Sequence, residues 1–569
     1  MADSVDLDKT DFDAVIIGTG VTEAIVAGSL GRAGKSVLHI DKNPFYGGIS
    51  GALDLSQLFS WIDQLNLNSY GDSSIFSQFD IGVGDITTKI SIAQPNTQQE
   101  VEIEDIIKKA AEKLDPIDQR IMSRNSKNMA QLISKYDIAL KNNVSDGSGN
   151  SKLEEFVEGL IPFFVDSRRY SSNMIYWNGV TEKVPDSKGD IFASQSLSLI
   201  EKRKLMKFLT FIRDNDPEDH VFNSTDAGQE TTHIPTLSSF VAKNFKIEGK
   251  LQAAVVHSIA FADNEEEVDA RVGCLRIRKY LQSIGRYGKM AYLYSPYGVG
   301  SETSQAFCRA CAVSGHGVYM LESGVKGIKK EDGSANKEGS DKIQINVNKV
   351  NQTITTKNCI VSAEQIRLTD APQSQIRNTV SRGILILDKP LYTGTNLVTI
   401  PPGQCNNRNA VFILTTCANG ACPQGKAIMY VWTKTSSSLP KGSSSPRQDL
   451  MDAISGVLAS KSQQPSENSK DNRQESSNND DDNQNQTAEP KVLLSIFYKY
   501  NELQETTQKE DHEWSADLWH ISTPSSFIDI DDSSMVNQAY DIFVKITGNT
   551  EKHTFLPPNI AQQLELNKQ

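Results

Sequence analysis

Short apolar runs alternate with helical repeats along most of this chain. Asp13 to Ile17 is the first such run, and its continuous apolar character predicts a strand buried on both faces. Ala24 to Ala33 reads as a helix closed by Gly34, and Ser36 to Ile40 as a second strand with Asp41 at its end. Residues 69–116 are mixed, with a short alternating run at Thr88 to Ile92 and a helical pattern at Ile106 to Leu114. Ser145 to Ser151 reads as a surface loop. Met174 to Trp177 and Thr181 to Val184 flank Asn178-Gly179, a sequence suited to a tight hairpin turn. The period then changes. In Ser196 to Ile212, Leu205, Phe208, Leu209 and Ile212 fall at helical spacing, with Lys202, Arg203, Lys204 and Lys207 on other faces. Thr236 to Phe245, Leu251 to Ala262 and Glu267 to Ile284 continue as helices. Roughly 186–275 is therefore expected to be a compact helical insertion. Its apolar stripes suit core facing core, and also a bundle that parts to admit a hydrocarbon chain.

Strands return after a Gly- and Tyr-rich stretch, Gly285 to Gly300, and a helix from Ser301 to Ala312 that Ser301 is placed to cap. Expected strands are Val318 to Leu321, a hairpin of Lys342 to Val347 with Gln352 to Thr356, then Asn358 to Ser362, Gly383 to Leu387, Ala410 to Leu414 and Ala427 to Trp432. Lys461 to Pro490 is built from Ser, Asn, Gln and Asp. It holds too little apolar surface to offset ordering entropy and reads as a disordered insertion. Structure resumes at Val492 to Tyr498, and Asp532 to Ile546 reads as a helix that docks back on the first unit. The expected organisation is an α/β domain formed by 1–185 and 276–569, with the helical domain, 186–275, between its halves.

The chemistry is concentrated at the first turn. Gly18-Thr-Gly20 follows the first strand directly and opens the helix. Glycines there allow a tight turn and bring backbone amides to a helix N-terminus, where a diphosphate would sit. Asp41, at the end of the second strand, stands where an acid would bond a ribose hydroxyl. This is a Rossmann-like FAD/NAD(P)-binding beginning, with one departure: the third glycine of GxGxxG is Glu23. A carboxylate there adds bulk and like charge beside a dianionic ligand and should oppose its binding by several kcal/mol. The site Gly18, Gly20, Glu23, Asp41 is thus expected to be degenerate and to hold no cofactor; the alternative is that Glu23 swings to solvent and a flavin still binds. Phe45 and Tyr46, on the loop Asn43 to Gly48, read equally as a plug against the sheet or as an aromatic anchor for a partner. Cys308 and Cys311 form a lone CxxC with no second pair, so no metal site is expected.

Charge and composition narrow the classes further. Against 58 Lys and Arg stand 71 Asp and Glu, a net charge of −13 with no basic run, which argues against nucleic acid as a partner. No apolar run approaches the ~20 residues of a membrane span. The acidic start, Met1 to Asp8, does not resemble a signal or transit peptide. Seven cysteines in 569 residues suit reduced thiols and a cytoplasmic location.

At Gly18-Thr-Gly-Val-Thr-Glu23 and Val37 to Gly48 the chain resembles the opening of the Rab GDP-dissociation inhibitor and Rab escort protein superfamily, in which Glu at the third glycine is part of the pattern. Arg286 to Lys289 and Tyr294 to Leu321 resemble its second signature region. Within it, Val184 to Phe192 followed by Ile200 to Phe211, and Cys308 to Val313, are similar to the escort branch. The resemblance implies a flavoprotein-like α/β domain that has lost its flavin and catalyses nothing. It implies GDP-bound Rab GTPases, the type II geranylgeranyltransferase heterodimer and the geranylgeranyl lipid as partners, with transient membrane contact. It carries over a Rab-binding platform at Tyr46, Glu302, Arg309 and Met320, a transferase-docking aromatic at Phe211 with Phe208 as neighbour, and a mobile loop within Arg276 to Lys289. One extra residue before Glu302 and another at Ser314 to Gly317 displace the register there. The family's Asp-Leu-x-Pro stretch, near which its lipid and tail site lies, is reduced here to Tyr136 to Leu140. The alternatives are a recycling inhibitor that never meets the transferase, and an FAD-dependent oxidoreductase.

Overall fold

A computed structural model describes residues 6–48, 76–83, 86–90, 171–185, 188–215, 234–264, 268–284, 299–330, 342–363, 376–417, 425–435, 445–462, 489–503, 518–521 and 533–551, with a few shorter pieces between them. The expected helix at 106–114, the loop at 145–151 and most of 285–300 lie outside these residues, as do 136–140 and the interior of the 461–490 tract.

Strand β1 (Asp11–Ile17) leads through Gly20 into α1 (Val21–Arg32) and back to β2 (Val37–Ile40). Ala14 to Ile17 are fully buried, as a run apolar on both faces requires. The sheet is completed by β3 (Gly317–Met320), β4 (Val325–Lys330), β5 (Ile343–Val347), β6 (Thr353–Val361) and β7 (Leu518–His520). Its order is β4-β5-β6-β1-β2-β3. β6, β1, β2 and β3 are parallel, with Asp11 beside Thr355, Ile17 beside Ile40, and Ile40 beside Met320. β6 joins the hairpin strand and the short strand expected after it into one element. Its first half pairs with β5 and its end pairs with β7. The α/β fold with a dinucleotide-type sheet is thus present, and the carboxyl ends of β1, β2 and β3 meet at one edge.

A second, ten-stranded mixed sheet carries the hairpin Ser171–Trp177/Val180–Lys183, with Asn178 and Gly179 at positive φ. Within it, Ile376–Leu387 is flanked by Ala427–Thr435 and Val492–Leu503. Lys461–Ser462, expected within the disordered tract, is instead a two-residue strand beside Val180 and Thr181.

Between the hairpin and β3 runs a series of helices: a short turn at Lys188–Ala193, then α2 (Leu199–Asp214), α3 (Leu237–Phe245), α4 (Gly249–Ala253) and α5 (Ala270–Ser283). Ser198 and Glu201 form a capping box at the start of α2, and Thr236 and Asp269 cap α3 and α5. The expected helix over 251–262 differs: α4 passes into a π-helical turn, Ala254–Ile259. Residues 276–283, expected in a mobile loop, are the second half of α5. Asn173 of the second sheet donates to the Ser258 carbonyl at 2.7 Å and to the Tyr280 hydroxyl at 3.3 Å, tying the helices to that sheet.

Helix α6 (Val299–Val313) begins before Ser301, which therefore lies in its first turn and is not the cap. α7 (Pro446–Leu458) starts at a second capping box, Ser445 with Gln448. α8 (Ser533–Thr547) packs on α1, as expected of the last helix. α1 thus lies among the sheet, α6 and α8, and has buried residues all round.

Candidate functional site

The site grows from the turn after β1. Gly18 has φ +109° and donates its N–H to the Ile40 carbonyl at 2.8 Å. A Cβ on Gly18 would lie 2.6 Å from that of Ser362, so this turn requires glycine twice over. Gly20 is the residue before α1, and Glu23 falls in the first helical turn. The Glu23 side chain does not swing to solvent. It is 5% exposed and folds back over Gly20, where a Cβ would stand 2.9 Å from the carboxyl carbon. The carboxylate accepts from its own backbone N–H. Burial pushes its pKa up to about 7, and the neighbouring Asp41 charge adds to the rise.

Asp41 is equally committed. One carboxylate oxygen accepts from the Thr19 N–H at 2.8 Å and the Thr19 hydroxyl at 2.5 Å; the other accepts from the Asn43 N–H at 2.8 Å. Burial raises its pKa while these donors lower it. The acid positioned for a ribose hydroxyl is spent on joining the turns after β1 and β2. A dinucleotide does not fit: its diphosphate would meet the Glu23 carboxylate, and its ribose would meet an acid whose oxygens already hold three donors.

Behind the turn lies a buried polar chain that the sequence pattern did not single out. His39 Nε2–H donates to the Gly18 carbonyl at 2.5 Å, and its Nδ1 lies 3.3 Å from the Tyr319 hydroxyl. Burial holds the imidazole neutral, with its pKa down to about 4. The Tyr319 hydroxyl also bonds the thiols of Cys308 and Cys311, which burial pushes up to about 12 and about 11. The CxxC is thus an inert, buried packing pair, and no metal-ligating group of three or more residues exists among the described residues. Thr19, His39, Tyr319 and Ser362 are the residues missed. Only Thr19, between two glycines, carried a sequence signal.

The outward side differs in character. Phe45 and Tyr46 are half-buried on a loop held by the Gly47 N–H, which donates to the Thr19 carbonyl at 3.0 Å. Both pack against the core while staying partly exposed. Burial raises the Tyr46 pKa, and Cys308 on α6 adds to the rise. Met320 ends β3, half-buried, and its carbonyl accepts the Asp41 N–H at 2.9 Å. Arg309 is exposed on α6, the helix that leads into β3. Glu302 lies on α6, and its side chain is outside the described residues. Tyr46 and Met320 are therefore carried by the segments that flank Asp41, with α6 beside them.

Phe211 and Phe208 sit elsewhere, on α2. Phe211 is half-buried, its ring 5.2 Å from Phe245 and 5.9 Å from Phe240. Phe208 is fully buried against Phe245 at 5.0 Å, so it has no surface to offer a partner.

These features define a class: a dinucleotide-type α/β fold whose nucleotide loop is closed by its own side chains. The sequence pattern of the GDP dissociation inhibitor family matches residues 7–123 and 156–508, and the chain belongs to that family. It is 27% identical over 456 residues to the Rab proteins geranylgeranyltransferase component A of Drosophila melanogaster, covering 77% of this chain and 76% of that one. It is 25% identical over 454 residues to the Rab GDP dissociation inhibitor beta of Rattus norvegicus, covering 78% and 84%. Among solved structures, the Rab GDI of Plasmodium falciparum aligns over 95% of this chain and 98% of that one, with TM-score 0.54 and 17% identity, and so shares the fold.

Proposed function

We propose that this chain is a Rab escort protein. It holds a GDP-bound Rab GTPase on the surface of Tyr46, Glu302, Arg309 and Met320. It presents that GTPase to the geranylgeranyltransferase heterodimer through Phe211, and delivers the lipidated product to membranes. It supplies no catalytic group itself; the transferase performs the chemistry. The observation that carries this reading is the Glu23 carboxylate buried over Gly20, which closes the cofactor position while part of the loop beyond it stays exposed. Tyr and Arg on a rigid support are typical interface anchors. A geranylgeranyl chain, with ~0.8 kcal/mol per buried CH₂, needs an apolar host in water, and in this reading the apolar stripes of α2–α5 part to supply it. Among the described residues no helix is long and apolar enough to cross a membrane, so membrane contact in this reading is peripheral.

The deciding experiment is reconstituted Rab prenylation with purified transferase. Lipid transfer is expected to depend on adding this chain, and equal transfer without it would end the reading. The similarity to Rab GDP dissociation inhibitor beta favours one competitor, a recycling inhibitor. Co-purification of transferase and unprenylated Rab with this chain separates the two. A stoichiometric flavin band near about 450 nm would instead favour an oxidoreductase.

A further inference from the structure

The functional reading leaves the CxxC of α6 unused. Cys308 and Cys311 are buried, whereas Arg309 between them is exposed. Both thiols meet the Tyr319 hydroxyl on β3, and the Cys308 sulfur also lies 3.8 Å from His39 Nδ1 on β2. Chemistry fixes the direction of each hydrogen bond in this chain. The Gly18 carbonyl can only accept, so its 2.5 Å contact places a proton on His39 Nε2. The imidazole is neutral, so Nδ1 is bare and accepts the Tyr319 O–H at 3.3 Å. The phenol oxygen keeps two lone pairs, one for each thiol S–H. Every proton in the chain is used once, and the chain runs from α6 through β3 and β2 to the turn after β1.

The same elements carry the residues of the proposed Rab-binding surface. Arg309 lies on α6, Met320 follows Tyr319 on β3, and Tyr46 lies on the loop after β2. β3 ends the sheet order, beside β2. Backbone bonds tie the end of β3 to that loop. The Met320 carbonyl accepts the Asp41 N–H at 2.9 Å, the Ser323 N–H donates to the Asp41 carbonyl at 2.8 Å, and the Glu322 N–H donates to the Asn43 carbonyl at 3.2 Å. A helix offers a strand no such ladder, so side chains must set α6 against β3. A Cβ on Gly317 would strike the Cys311 sulfur, so glycine there lets the strand approach until the Tyr319 hydroxyl reaches both thiols.

We propose that Tyr319, with Cys308, Cys311 and His39, is a positioning device for that surface: its hydroxyl fixes α6, and Arg309 with it, relative to Met320 and the loop of Tyr46. This rests on the reading of Tyr46, Arg309 and Met320 as the Rab-binding surface. A surface already held in place needs no ordering when the partner arrives. Loosening the chain therefore shows as lost affinity, although its polar atoms lie behind the surface.

The test is the affinity of the full-length chain for purified GDP-bound Rab, measured well below the Tm of every variant. Tyr319→Phe keeps the ring beside His39, 5.0 Å away, and removes the hydroxyl. It is expected to weaken binding roughly three- to tenfold. Asn173→Leu, a destabilised control outside this surface, is expected to bind as the parent does. Cys308→Ser keeps a donor for the Tyr319 oxygen and Cys308→Ala does not, so the first is expected to retain affinity and the second to share the loss. Equal loss in both would make packing the cause and overturn the proposal. If Tyr319→Phe does not fold, the comparison at Cys308 decides alone. A Tyr319→Phe protein with a lower Tm but the parent's affinity, beside Tyr46→Ala and Arg309→Ala proteins that lose binding, would also overturn it: the surface would stand and the chain would be structural only. If Tyr46→Ala and Arg309→Ala both bind as the parent does, the surface reading falls and the proposal falls with it.

Discussion

A buried carboxyl group raised to about 7 makes stability depend on pH in a definite direction. Glu23 has an ordinary pKa of 4.5 when the chain is unfolded, so the folded state holds its proton more tightly. That contribution is complete below pH 4.5 and is lost as pH rises through about 7, a difference of about 3 kcal/mol. Glu23→Gln should remove the loss: nearly equal to the parent at pH 4.5, and more stable by up to about 3 kcal/mol at pH 8, in urea unfolding. Parallel pH profiles for the two proteins would contradict this. Asp41→Asn acts the other way. It places an amide donor against N–H or O–H donors of Thr19 and Asn43, and should cost about 2–3 kcal/mol at neutral pH. Gly18, Gly20, Glu23 and Asp41 were legible because their spacing along the chain is fixed by one local turn. The direction of the Glu23 side chain was not: its alternatives differ only in what surrounds the helix start. Ser362 was hidden for a plainer reason, since it reaches Gly18 from just past the end of β6, more than three hundred positions away.

Among the elements, α1 and α6 approach through two glycines. A Cβ on Gly28 would stand 3.1 Å from the Phe307 carbonyl oxygen, and one on Gly31 would stand 2.7 Å from the Cys311 sulfur. Alanine gains ~1 kcal/mol over glycine in an open helix. Overpacking costs about 1–3 kcal/mol, so Gly31→Ala should destabilise the protein on balance, with partial rescue by Cys311→Ala in a double-mutant cycle of thermal unfolding. Long periodic helices such as α2 could be read from sequence to within a few residues. The π-helical turn at Ala254–Ile259 could not, because one extra residue in a turn leaves the apolar pattern almost intact. α7 was overlooked although Ser445-Pro-Arg-Gln448 is a legible start signal, a capping box with Pro in the first turn.

At the scale of the whole molecule, Asn173 is one of several polar links between the helices and the second sheet, beside the Lys250–Glu182 pair at 2.5 Å and the Ala410 N–H donated to the Asp263 carbonyl at 2.7 Å. Asn173→Leu should leave the Ser258 carbonyl and the Tyr280 hydroxyl without that donor. Expected outcomes are a loss of about 1–3 kcal/mol and faster amide hydrogen exchange in 249–283, with 376–387 unchanged. Strand order in both sheets was beyond local reading, since parallel neighbours come from opposite ends of the chain. That arrangement has a consequence for biosynthesis. β1 leaves the ribosome first, yet its partner β6 begins at Thr353, β7 pairs with that partner only at Leu518, and α8 covers α1 only after Ser533. At ~5–20 residues per second, Val15 to Ile17 pair with β2 early but wait tens of seconds for β6 on their other side. Through that interval one edge of β1 stays unpaired, and a message truncated before codon 518 is expected to yield a product more prone to aggregate than the full chain.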